Sequence, residues 1–141
     1  MKESSSKLIF CCWFLALFAT MGSLFFSEIM EFPPCVLCWY QRIAMYPLVA
    51  IFLVGSYVGA KETYYFSIPL VVTGWLIAVY HNLLHYEIVP ESASPCREGV
   101  SCANVYIDWF GFITIPFMSF IVFTVLGTIL FYLKRKNFYE K

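Results

Sequence analysis

Four long apolar runs dominate this chain and restrict what it can fold into. They cover residues 8–27, 43–60, 64–83 and 112–133, and none of them contains a carboxylate. A membrane-spanning helix needs about 20 mostly apolar residues, because backbone groups in lipid must bond within their own segment. The chain is 61% hydrophobic and 13% charged, whereas soluble domains carry roughly a quarter charged residues. We therefore predict an all-α membrane protein, a bundle of four transmembrane helices in a single domain over residues 1–141.

Basic residues are concentrated on one side of this predicted bundle. The first apolar run is longer than the roughly 7–15 residues of a cleavable signal peptide, so we expect it to be retained as a helix. Four spans then put both termini on the same side, together with seven of the nine basic residues. Because basic residues favour the cytoplasmic side, both termini are predicted to be cytoplasmic. The loops at about 28–42 and 84–111 then face outward, and the net charge of zero gives no indication of a nucleic-acid partner.

Four of the six cysteines fall on the predicted outer side, namely Cys35, Cys38, Cys96 and Cys102. Disulfides persist outside the cytoplasm, so the expected pairs are Cys35–Cys38 and Cys96–Cys102. A disulfide that closes so small a loop contributes roughly 2 kcal/mol, which a membrane bundle has little need of. Thiol–disulfide exchange is therefore favoured over a structural role. A zinc site of four thiolates is the other alternative, but the spacing of the second pair is unusual for it, and no metal is predicted.

The stretch "PPCVLCWYQR" at residues 33–42 combines a cysteine pair with an arginine. Proline suits the first turn of a helix, so the second helix is predicted to begin near Pro34. Cys35, Cys38 and Arg42 then lie on one helix face at i, i+3 and i, i+4 spacing. The positive helix end and the guanidinium both favour thiolates, which are the reactive form of cysteine. The alternative is that Arg42 only marks the membrane edge with a charge directed to water.

Thiol oxidation releases two electrons, which need an acceptor. The chain has no Gly-rich phosphate loop, and its apolar setting favours a lipid-soluble quinone. His81 and His85 are one turn apart at the outer end of the third predicted helix. One of them can donate a hydrogen bond to a quinone carbonyl or carry a proton, although an interfacial polar role is the alternative. As a metal pair they lack an evident third ligand.

The segment "CVLCWYQR" at the start of the second helix resembles the signature of the DsbB family of disulfide bond formation proteins. The four spans, the second outward cysteine pair and "DWFGFITIPF" before the fourth span are also similar. The compact length resembles the short type of Gram-positive bacteria, called BdbC. This resemblance implies an enzyme, a thiol:quinone oxidoreductase of the bacterial cell membrane that uses menaquinone or ubiquinone. It would reoxidise a DsbA-like extracytoplasmic thiol oxidase and so support disulfide formation in exported proteins.

The resemblance also implies a role for each cysteine of the outer side. Cys102 would form the mixed disulfide with the partner oxidase. Cys96 would then exchange with Cys35, and Cys38 would face the quinone. Arg42 matches the family arginine that stabilises the thiolate–quinone pair.

His81 is our match for a family histidine near the quinone. The chain departs from the family in three respects. Gln41 precedes the arginine and is assigned no role, and the loop between the second cysteine pair is much shorter than in the larger members. Cys11 and Cys12 lie outside the motif, and we expect them to be small apolar helix residues.

Two other functions compete with this interpretation. An enzyme similar to vitamin K epoxide reductase shares much of the chemistry, but such proteins place their C-x-x-C late, in the last helix. A small non-redox transporter with structural disulfides also has four helices. A proton-coupled transporter needs a carboxylate within the membrane, and the four apolar runs contain none.

Overall fold

The structure is a computed structural model that describes residues 2–93 and 114–139. Cys96 and Cys102 lie outside these described residues, as does their predicted pairing. The main elements are four long helices: α1 Lys2–Leu24, α2 Val36–Val58, α3 Ala60–His85 and α4 Ile115–Tyr139. All four are long and apolar enough to cross a membrane, and the described residues contain no strand. The predicted four-helix membrane bundle is confirmed.

The second helix begins well before its apolar run. Cys35 is the N-cap residue and α2 starts at Val36, close to the start predicted near Pro34, whereas the apolar run begins at residue 43. Gln41 and Arg42 interrupt the hydropathy pattern, yet they are 7% and 9% exposed and point into the protein. The helix therefore starts before the apolar run because Gln41 and Arg42 are polar residues that are nevertheless helical and buried. Pro34 lies just before the N-cap rather than in the first turn.

Consecutive helices pack along one another, and the core runs through the middle of the bundle. Gly74 of α3 lies directly against Phe123 of α4, so that a Cβ at this position would overlap the aromatic ring. The absence of a side chain thus allows these two helices to approach. Cys12 is fully buried in the core, as expected for a small apolar residue, while Cys11 is exposed.

Hydrogen bonds bring both chain ends to the same end of the bundle. The Ser6 hydroxyl donates to the carbonyl of Ser56 over 3.0 Å, which ties the start of α1 to the end of α2. The Lys136 ammonium donates to the Ser4 hydroxyl over 3.0 Å, which ties the end of α4 to the start of α1. The opposite end of the bundle contains the predicted dithiol and a π-helical turn, Phe25–Ile29, that continues α1.

Candidate functional site

A cavity of about 350 Å³ lies at this second end of the bundle. Its wall combines the end of α1, the start of α2, the end of α3 and the start of α4, and most of it is apolar. Several polar or sulfur-containing side chains also face it: Cys35, Cys38, Gln41, Arg42, His81, His85 and Thr114. The structure thus brings together five residues singled out from the sequence, the two cysteines, the arginine and both histidines. A volume of a few hundred cubic ångströms is typical of a site for a small organic ligand.

The two cysteines are placed by the start of α2. Cys35 has extended backbone torsions, φ −72° and ψ 169°, and its sulfur accepts a hydrogen bond from the Cys38 N–H over 3.4 Å. The sulfur therefore caps one of the free N–H groups of the first turn, as a serine oxygen does in other helices. Both cysteines are free thiols, and their sulfurs are 3.0 Å apart. A disulfide bond of about 2.05 Å requires an approach of roughly 1 Å, so the pair is set for oxidation.

His81 approaches the dithiol from α3. Its side chain is 2% exposed, and its Nε2 lies 3.8 Å from the Cys35 sulfur. The hydrogen bond from the Cys38 thiol lowers the pKa of Cys35 from 9.0 to about 4, with His81 contributing in the same direction against the opposing effect of burial. The sequence attributed thiolate stabilisation to Arg42 and the helix end. For Cys35, the structure adds these two nearer neighbours.

Arg42 is buried and is held by α1. Its Nε donates to the Ser23 hydroxyl over 3.0 Å, and its Nη2 donates to the Ser23 carbonyl over 3.0 Å. The guanidinium also lies 5.5 Å from the centre of the Trp39 ring, within the range of a cation–π contact. The side chain is thus bonded within the protein and is not an interfacial arginine directed to water.

Ser23 is a residue that sequence analysis missed. It stands 19 positions before Arg42, and no local motif connects the two. The available signal was weak: Ser23 is one of two serines near the outer end of an otherwise apolar span. It also lies just before the π-helical turn Phe25–Ile29, and such turns are frequent at functional sites.

Two further polar side chains are buried at the cavity and were not predicted. Gln41 and Thr114 are 7% and 4% exposed. The amide nitrogen of Gln41 and the hydroxyl of Thr114 have no hydrogen-bond partner among residues 2–93 and 114–139. Buried polar groups are usually satisfied, and both residues line the cavity, where a ligand would meet them.

The chain that leads towards Cys96 is also tied to this end of the bundle. The Tyr80 hydroxyl donates to the carbonyl of Ala93 over 3.0 Å, and Tyr80 immediately precedes His81. Ala93 ends a short 3-10 turn, Glu91–Ala93, after α3. The beginning of the second loop is therefore attached to the helix that also carries His81.

Comparison with known proteins points to one family. The model of the family described as disulfide bond formation protein DsbB matches residues 5–133. Disulfide bond formation protein C of Bacillus subtilis is 43% identical over 118 residues, which is 84% of this chain and 86% of that protein. A probable disulfide formation protein C of Halalkalibacterium halodurans is 39% identical, covering 89% of this chain and 92% of the relative. A probable disulfide formation protein of Oceanobacillus iheyensis is 39% identical, covering 89% and 88%. No solved structure matches the chain.

Proposed function

We propose a specific reaction on the premise that this chain belongs to the DsbB family of disulfide bond formation proteins. Family membership and the four apolar helices make it a membrane protein of thiol–disulfide oxidation. The proposal is that it oxidises a reduced, DsbA-like thiol oxidase outside the cytoplasm and transfers the electrons to a quinone. In each turnover two partner thiols become one disulfide. When bound, the quinone, menaquinone or ubiquinone, accepts the two electrons and two protons and leaves as quinol.

The observation that supports this proposal most directly is the position of the dithiol at an apolar cavity. Cys35 and Cys38 form part of the wall of this cavity, and its volume of about 350 Å³ can hold a ligand the size of a quinone ring. Gln41 and Thr114 supply two buried polar groups without partners among the described residues, and an amide nitrogen and a hydroxyl can each donate a hydrogen bond to a quinone carbonyl. Arg42 adds a fixed positive charge at the same wall. The donor set therefore fits a flat, apolar molecule whose oxygens gain negative charge during reduction, before they are protonated.

The two thiols of the pair have different roles in the proposed relay. A partner thiolate first attacks Cys102 of the Cys96–Cys102 disulfide, which releases the Cys96 thiolate. Two exchanges then involve the dithiol. In the first, Cys96 attacks the sulfur of Cys35 in the oxidised pair, and the bond to Cys38 breaks, so that the Cys38 thiolate is released beside the cavity. In the second, Cys102, released when the second partner thiol closes the partner disulfide, attacks Cys96 and breaks the bond to Cys35. Together these exchanges pass two electrons from the partner thiols to the Cys35–Cys38 pair, which is left reduced and is reoxidised by the quinone in the final step.

The environment of Cys35 favours the second of these exchanges. A thiol with a low pKa is a better leaving group in disulfide exchange. The pKa of Cys35 is lowered to about 4, first by the Cys38 thiol and also by His81. His81 therefore assists the release of Cys35, which is a more specific role than the quinone contact implied by the sequence resemblance.

The charge distribution supports the proposed orientation in the bacterial cell membrane. The helix ends that the Ser6–Ser56 and Lys136–Ser4 bonds bring together carry Lys7, Lys134 and Arg135. Lys61 lies at the start of α3, which follows the end of α2 after one residue. Because basic residues favour the cytoplasmic side, this end with both termini is the cytoplasmic one. The cavity and the dithiol then face the outer surface, where disulfides persist.

A reconstituted reaction tests the proposal. Purified protein is mixed with a reduced DsbA-type partner and a quinone, and the quinone absorbance is followed. Cys38→Ser should abolish quinone reduction, because the dithiol can no longer close. Arg42→His should weaken quinone use while the disulfides still form, as measured by thiol titration. Normal turnover of the Cys38→Ser protein, or a wild-type protein that oxidises the partner without consuming quinone, would refute the proposed reaction.

A further inference from the structure

The reduced dithiol and His81 together form a cluster of three soft donor atoms. The Sγ atoms of Cys35 and Cys38 and a ring nitrogen of His81 all lie within 4.8 Å of one another. We infer that the reduced site binds a thiophilic cation of the Zn²⁺ type through these three residues and that this cation inhibits the oxidase. The binding step requires neither the quinone nor the partner protein, so it stands apart from the proposed function.

The distances are close to those of a zinc site. Zinc bound to thiolate at about 2.3 Å and to imidazole at about 2.0–2.1 Å in tetrahedral geometry places two sulfurs about 3.8 Å apart and sulfur and nitrogen about 3.6 Å apart. The distance between the Cys35 sulfur and the His81 Nε2 is 3.8 Å, and the two sulfurs are 3.0 Å apart. The Cys35–His81 distance already matches a zinc site, and the two sulfurs need to separate by roughly 0.8 Å.

Burial and charge also favour the cation. Cys35 and His81 are 6% and 2% exposed, and the single positive charge of Arg42 at the same wall does not balance two thiolates in so apolar a place. A divalent cation neutralises both. The donors are held in place by α2 and α3, and the Cys38 N–H already bonds to the Cys35 sulfur, which orients this ligand in the way that outer hydrogen bonds do in metal sites.

All three donor residues line the cavity, so a water molecule there could complete the coordination of a bound cation. Three protein ligands and one open position occupied by water are the usual arrangement of catalytic zinc sites, whereas structural sites have four protein ligands. The cluster therefore predicts reversible binding rather than a permanent metal. This arrangement differs from the four-thiolate site considered from the sequence, because a histidine of α3 takes the place of the second cysteine pair.

Cation binding and oxidation exclude each other. The cation displaces the protons of the thiols and forms two sulfur–metal bonds, with no transfer of electrons. A Cys35–Cys38 disulfide has no thiolate to offer. The cation consequently selects the reduced protein and prevents the dithiol from closing.

Cobalt(II) titration tests the binding site directly, since cobalt substitutes for zinc and its thiolate bonds absorb in the near ultraviolet. The titration uses the full chain with Cys96→Ser and Cys102→Ser, reduced with a non-thiol reductant, in the absence of quinone. We expect one cobalt per chain with a thiolate-to-cobalt band, which Zn²⁺ then displaces. Oxidation of the pair should remove the band, and His81→Ala should weaken binding at least tenfold.

His85→Ala is the matched control, since His85 lies one turn further along α3 and is outside the three-donor cluster. His81→Cys serves as a second variant, because it supplies a ligand at the same position and should retain binding. A thermal unfolding scan checks that each variant is folded. Equal cobalt affinity in the His81→Ala and His85→Ala proteins, or a band that persists after oxidation or in a Cys35→Ser variant, would overturn the inference. In the quinone assay, Zn²⁺ should inhibit the wild-type protein, and failure of that assay without Zn²⁺ would concern the proposed function alone.

Discussion

Ser23→Ala tests whether the position of Arg42 determines quinone use. The change removes the hydroxyl that accepts from Arg42 Nε over 3.0 Å and leaves the backbone carbonyl that accepts from Nη2. Arg42 is 9% exposed, so water does not readily replace the lost acceptor. A hydrogen bond to a charged group contributes about 1.5–3 kcal/mol, and each 1.4 kcal/mol corresponds to about a factor of ten. Because one of the two bonds remains, we expect the KM for quinone to rise roughly tenfold.

The assay compares quinone reduction at varied quinone concentration with oxidation of the dithiol, measured separately by thiol titration. Ser6→Ala is the matched control, because it removes a 3.0 Å hydrogen bond between the same two helices at the opposite end of the bundle. Both variants should lose a similar amount of thermal stability in detergent, and only Ser23→Ala should change the KM. Ser23→Thr retains the hydroxyl and should preserve quinone use. An unchanged KM in Ser23→Ala, or an equal change in Ser6→Ala, would contradict the assigned role of Ser23.

Three further predictions concern the core, the thiolate and the cavity. Gly74→Ala should lower the thermal midpoint by an amount equivalent to about 1–3 kcal/mol, because its Cβ would overlap Phe123. Gly127→Ala is the control and should leave the midpoint unchanged, because its Cβ would meet Val71 at an ordinary contact distance of 3.7 Å. Equal midpoints in the two variants would refute the packing argument. The pKa of Cys35 is lowered to about 4, so this thiolate stabilises the folded reduced protein above pH 9 and the stabilisation is lost as the pH falls towards 4. Ultraviolet thiolate absorbance, measured against Cys35→Ser, should therefore persist well below neutral pH, whereas a loss near pH 9 would show an unperturbed thiol. Gln41→Leu should raise the thermal midpoint, because it removes a buried amide nitrogen without a partner among the described residues. It should also raise the KM for quinone, and an unchanged KM would exclude Gln41 from the quinone site.

The fold could be predicted because the hydrophobic pattern determines it. Four uninterrupted apolar runs have few alternatives in a membrane, and their number and order were confirmed. The two prolines predicted the start of α2 near Pro34, and the helix begins at Val36. Hydropathy alone would start it at residue 43, because hydropathy counts Gln41 and Arg42 as surface residues, whereas tertiary contacts bury both. The start at Cys35 depends on the sulfur that caps the helix, which no apolar pattern reveals.

The candidate site could be predicted in part, for a similar reason. Helical spacing alone placed Cys35, Cys38 and Arg42 on one side of α2, and the structure places all three at the same cavity. Ser23 and Thr114 come from other helices, and their involvement depends on how α1 and α4 pack against α2. No local sequence pattern shows which residues of different helices meet in the folded protein. The roles of Cys96 and Cys102 remain predictions, because both lie outside the described residues.

The way Arg42 is held bears on why a membrane protein keeps a buried cation. The bonded partners of its guanidinium in the described part of the chain are the hydroxyl and carbonyl of Ser23, both uncharged. Neutral acceptors fix the orientation of the side chain without cancelling its charge, so the positive charge stays available to the cavity. A carboxylate would hold Arg42 more tightly and would cancel this charge, because charge-assisted pairs are shorter and stronger than neutral hydrogen bonds.

Ser23→Asp separates these two effects. If position alone matters, the aspartate should preserve quinone use, since it keeps an acceptor for the Nε of Arg42. If the uncancelled charge matters, as we expect, Ser23→Asp should slow quinone reduction more than Ser23→Ala does, while its thermal stability stays equal or higher. Ser23→Asn is the matched control, because it has a similar shape and no charge, and it should remain close to the wild-type rate. Faster quinone reduction by the Asp variant than by the Ala variant would show that the charge of Arg42 is not what the cavity requires.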